Sequence, residues 1–133
     1  MSKKVKNIYE HEIPLYAMTY YLVFAAKGHA CEVITKNIMH VDNDESDACV
    51  WPHPDHPVVF FSHEVMGRDP MTILQVVCHE ALHLTLHVLH ARGVTLTEDS
   101  EEAYTYLHQY LFKTILTSCI TYHELGHMQV LLK

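Results

Sequence analysis

The chain has 133 residues, a length that fits one domain, and 49% of them are apolar, enough for a single small core. Its formal net charge of −7, with the one basic cluster at Lys3, Lys4 and Lys6, argues against the basic surface of a nucleic-acid binder. No apolar run reaches the roughly 18 residues of a membrane span, and the start lacks the apolar stretch of a secretory signal. The four cysteines, Cys31, Cys49, Cys78 and Cys119, are scattered with no Cys-x-x-Cys, which fits buried thiols in a reducing compartment. The expectation is a cytoplasmic protein with neither a nucleic-acid nor a membrane partner; its oligomeric state stays open.

The first half reads as strands. Residues 5–13 and 18–25 are rich in β-branched and aromatic side chains, and 26–39 is ambiguous, with room for a short helix. HVDNDESD at 40–47 is a polar loop. ACVW at 48–51 and VVFFS at 58–62 read as two short strands, separated by PHPDHP, whose three prolines must turn. His53 and His56 in that turn are expected on an exposed loop.

The second half reads as helices. Asp69 is placed to cap a helix that has Pro70 at its first position, and Gly93 to close it. That helix is apolar on most faces and is expected to be buried. A second helix starts near Ser100 and either continues or breaks through TSCIT, with Asp99 and Glu102 at capping-box spacing. Strands followed by helices predict an α+β domain covering 1–133, strand-rich over 5–62 and helical over 70–132.

Histidine stands out at 13 residues, and the pattern His-Glu-x-x-His occurs twice, as HEALH at 79–83 and HELGH at 123–127. At this composition chance supplies roughly 0.09 copies, so context must decide. Two other His-Glu pairs, His11-Glu12 and His63-Glu64, lack the second histidine. On a helix, His79 and His83 share a face, and one zinc ion fits between two such rings. Glu80 stands beside them as a general base. The histidine-plus-glycine extension of metzincins is absent, since Leu86 and Leu89 occupy its positions. A catalytic zinc needs a third protein ligand, and Glu101 and Glu102 lie 18 and 19 residues beyond His83 on the next helix. The second copy, His123, Glu124 and His127, is followed by only six residues with no further ligand type. A capping, packing or adventitious-metal role is expected there. His87 and His90 are expected at an interface or behind the ligands, Tyr106 as a packing aromatic, and Cys78 as a buried thiol.

HEALH, the GV loop and EEAYTYL, spanning about 71–112, resemble the small HExxH proteins that many bacteriophages encode and that are assigned by motif as metallopeptidases. IPLY at 13–16 is similar to the strand-ending Pro-hydrophobic-Tyr element with which these proteins open. The resemblance implies a zincin-like fold, with a small antiparallel or mixed sheet packed on the HExxH helix and a following ligand helix. It implies Zn²⁺ held by His79, His83 and Glu102 in a thermolysin-type arrangement, Glu80 as the catalytic base, and a peptide or protein substrate. It also implies a place in the host cytoplasm and the strand VVFF beside the cleft. Two other readings stay open: a non-catalytic binding protein on the same scaffold, aimed at a host factor, and a metal-storage role for the histidines.

Overall fold

The computed structural model describes residues 7–42 and 46–131, with side chains of the final helix described as far as His123. Strands β1 (Ile8–Ile13) and β2 (Met18–Ala25) form an antiparallel hairpin, in register from Ile8 opposite Val23 to Ile13 opposite Met18. The turn between them is a single 3-10 turn, Pro14–Tyr16, closed by Ala17 in the left-handed region at φ +49°. Helix α1 (Ala30–Asn37) fills the ambiguous stretch. Strands β3 (Ala48–Trp51) and β4 (Val58–Ser62) complete a mixed sheet of order β1-β2-β4-β3, in which β2 and β4 are parallel and the outer pairings antiparallel.

This order corrects one expectation. VVFF does not run beside the cleft; β4 lies inside the sheet, and β3 is the edge strand on that side. The physical reason was present in its composition. All five residues of β4 are buried, and an unbroken apolar run is what a strand covered on both faces requires. Val58 and Phe60 meet α1 through Ala30 and Ile34 on one face, while Val59 and Phe61 join Tyr20, Leu22 and Phe24 in the main core on the other.

A short helix α2 (His63–Met66), which periodicity does not signal, follows β4 directly and is capped by Ser62, whose Oγ accepts the Val65 N–H at 3.0 Å. Helix α3 (Pro70–Ala91) begins and ends as expected. Asp69 Oδ2 accepts the Thr72 N–H at 3.1 Å. At the far end Gly93, at φ +76°, donates to His90 O at 3.0 Å and Val94 donates to Leu89 O at 2.9 Å, the paired bonds of a glycine-terminated helix. By length and apolar content α3 could cross a membrane; here its buried side packs on the sheet. Helix α4 (Glu101–Leu131) is entered through a 3-10 turn, Glu98–Ser100. Its capping box joins Thr97 and Ser100, not Asp99 and Glu102. TSCIT does not break α4, and the Thr117 and Thr121 hydroxyls donate to the carbonyls four residues earlier, at 2.7 and 2.9 Å. Helices α3 and α4 lie against the same face of the sheet, contributing Leu84, Val88, Leu111 and Ile115 to one core.

Arg92, the residue before Gly93, ties this layer to the loops above it. Its guanidinium donates to Tyr16 O at 2.8 Å, Ala17 O at 3.0 Å and Pro54 O at 3.0 Å. One side chain thus fixes both the β1–β2 turn and the β3–β4 loop.

Candidate metal centre

Helix α3 is buried along one side only. Val77, Glu80, Ala81, Leu84, Thr85, Val88 and Leu89 face inward, while Met71, Leu74, Leu82 and Leu86 are exposed. The expectation that the whole helix is buried is therefore corrected: its apolar surround outruns the sheet it covers. His79 and His83 stand at the outer margin of the buried side. Their Nε2 atoms lie 3.2 Å apart, with ring centroids at 4.8 Å and planes at 71°. Two nitrogens bound at 2.0–2.1 Å to one tetrahedral zinc are separated by about 3.3 Å. The pair thus has the spacing of two ligands on a common ion.

Glu80, about 100° further round the helix, turns inward and is only 5% exposed. Its Oε2 is buried without a hydrogen bond. Burial pushes its carboxyl above the usual carboxylate range, with His79 and His83 pulling the other way. An ionised oxygen left without a partner is costly, and proteins keep such groups chiefly where a ligand or reaction uses them.

These three residues line a cleft of about 390 Å³ between α3 and β3, with Ala48, Val50, Pro52 and His87. A second arm, of about 380 Å³, shares Ala48, His79 and Glu80 and runs on to Asp47, Arg68 and Gln75. Glu80 therefore sits midway along a trench. At its far end Arg68 is paired with Asp47 at 3.0 Å.

The structure does not bring Glu102 to the histidine pair. Among the described residues no group of three or more His, Cys, Asp or Glu side chains gathers as a metal-binding set. Glu101 and Glu102 are both exposed on the first turn of α4. Helix α4 touches α3 through His108, whose Nε2 lies 3.4 Å from the backbone Cys78 O, and no described residue of α4 lines the cleft that holds the histidine pair. On α4 itself the two glutamates diverge. Glu101 shares a stripe with His108, seven residues on, and so looks towards α3. Glu102 shares one with Tyr106, which is 67% exposed and lines an apolar groove with Leu15 and Tyr110.

The remaining histidines divide sharply. His53 and His56 are half-buried and hydrogen-bonded rather than exposed, because the three prolines fold their loop back onto α3. His87 is half-buried against that loop, and His90 is exposed. Cys78 is exposed, correcting its expected burial, since it lies on the outer side of α3; Cys119 is the buried thiol, pushed up to about 12 by burial. His123 is exposed on α4, and the side chains of Glu124 and His127 lie outside the described residues. Comparison with family models, with curated proteins and with solved structures gives no match for this chain.

Proposed function

We propose that the chain is a zinc-dependent hydrolase of peptide bonds, a phage-type metallopeptidase with a zincin-like architecture, in which His79 and His83 hold the metal and Glu80 is the general base. The observation that carries this reading is the buried, unbonded Glu80 Oε2 beside two imidazole nitrogens 3.2 Å apart, in an open cleft. When bound, zinc supplies Lewis acidity towards a carbonyl and lowers the pKa of water towards about 7. Glu80 takes the proton of the attacking water and returns it to the departing amine, a task suited to a carboxyl made more basic by burial. Substrate lies in the trench between β3 and α3, passing Glu80 midway. This reading calls for a third ligand from the first turn of α4, Glu101 or Glu102, which the structure leaves apart from the histidine pair. The resemblance favours Glu102; the stripe shared with His108 favours Glu101.

The test is Glu80→Gln. It should retain zinc and fold while losing peptide hydrolysis. Loss of zinc together with activity would make Glu80 a ligand and end this mechanism. A non-catalytic binding protein on the same scaffold is the second reading, favoured by the ungathered third ligand. It requires the Glu80→Gln variant to retain full biological function.

A further inference from the structure

The loop at 52–57, between β3 and β4, contains Pro52, Pro54 and Pro57, which carry no N–H. Only His53, Asp55 and His56 have a backbone donor to place, and each places it on an imidazole. The His53 N–H donates to His87 Nε2 at 3.1 Å; the Asp55 and His56 N–H groups both donate to His53 Nδ1 at 3.1 Å. The His53 and His56 rings stack with centroids 3.4 Å apart. A backbone amide can only donate, so both receiving nitrogens must carry a lone pair. His87 is therefore neutral with its proton on Nδ1, and His53 neutral with its proton on Nε2. His87 Nε2 also lies 3.4 Å from His53 O, a contact that requires a proton on that nitrogen and so excludes the shorter bond.

We propose that this loop is a proton-operated flap on the His87 end of the cleft, clasped while His53 and His87 are neutral and loosened at its Pro52–His53 end as they take up protons. Pro52 and His87 both line the cleft beside His83, so loosening there widens the trench on that side. The rest of the loop stays anchored by bonds that do not titrate: Thr19 N–H to Asp55 O at 3.2 Å, Tyr21 N–H to Pro57 O at 3.0 Å, and Arg92 to Pro54 O at 3.0 Å. The charged and titratable groups against the clasp are Asp55 and His56 in the loop, Arg92 at the end of α3, which pairs with Asp55 at 3.7 Å, and Tyr21 from β2, which sets its ring edge-on to His56; His83 lines the same cleft as His87. Burial first, and His53 second, hold His56 below its ordinary value, while Asp55 opposes them. The sign is fixed by the acceptor role: the clasp is complete while both ring nitrogens keep their lone pairs and is lost when a proton takes either one. This rests on the bond between the loop and His87 and on the bonds within the loop, and its readout needs neither metal nor hydrolysis.

The test is NMR of the full chain between pH 7.5 and 5.0. Imidazole nitrogen shifts at pH 7.5 should show the Nδ1–H tautomer at His87 and the Nε2–H tautomer at His53; the opposite tautomer at either residue would overturn the clasp. Solvent exchange of the His53, Asp55 and His56 amides, corrected for its intrinsic pH dependence, should rise roughly tenfold or more on acidification. His53→Asn with His87→Gln puts a non-titrating acceptor oxygen where each ring nitrogen stood and should keep the amides protected at both pH values. Wild-type protection that does not change with pH, or a double variant that loses it as wild type does, would refute the proposal. The wild-type tautomer and exchange results decide the matter even if the double variant fails to fold.

Discussion

Glu80→Gln should stabilise the metal-free protein. The carboxyl is 5% exposed, its Oε2 has no hydrogen bond, and burial holds it above the ordinary carboxylate range. A carboxyl so raised binds a proton more readily in the folded chain than in the unfolded one. Its contribution is then harmless below the unfolded value and destabilising as pH rises through the folded one. The amide of the variant is as unpaired as the carboxylate, so what the substitution removes is the cost of the buried charge, and because this side chain faces an open cleft a small gain of about 1 kcal/mol is expected. For a domain of this size that corresponds to roughly 4 °C in Tm. The assay is thermal unfolding in the presence of a chelator, at pH 7.5 and at pH 4. The variant should melt about 4 °C higher than wild type at pH 7.5, with the gap closing at pH 4, where the wild-type carboxyl is protonated. Saturating zinc should shrink the gap at pH 7.5, because a nearby cation offsets the buried charge. A variant no more stable than wild type at pH 7.5 without metal would refute the argument that this carboxylate is held unpaired against its own stability.

Arg92→Ala removes three hydrogen bonds to carbonyls of two loops and should lower stability by about 2 kcal/mol, read as a fall in the urea midpoint with an unchanged slope. Comparing zinc affinity in Glu101→Gln and Glu102→Gln should show a loss of tenfold or more in one variant only, since neighbouring helix residues point about 100° apart. Equal, negligible losses would remove both from the metal site.

Much of the scaffold was readable because strong local signals agree with the tertiary structure. β3 and β4 were bounded by their prolines and polar loop, and α3 by Asp69, Pro70 and Gly93, each acting at the expected cap position. Helix spacing alone put His79 and His83 together and Glu80 at their side. Sheet order was not readable in the same way, since which strand lies inside depends on burial from both faces; the apolar run in β4 carried that signal and the edge position of β3 did not. The relation of Glu102 to the histidines was also beyond spacing. It depends on which side of α3 the next helix lies against, and contacts such as His108 with Cys78 O decide that. The clasp at 52–57 was missed because a proline-rich turn reads as an exposed loop. Its legible clue was that only the non-proline residues carry amides, and those amides needed acceptors.

The most direct test of the central claim is the zinc content of protein purified without added metal, by elemental analysis, with circular dichroism to confirm folding. Wild type should carry about one zinc per chain, the number one site with a His79–His83 pair would hold. His79→Ala and His83→Ala should carry essentially none, and His127→Ala should keep full occupancy. Equal zinc in wild type, His79→Ala and His83→Ala, or its loss in His127→Ala alone, would contradict the assignment of the metal to α3.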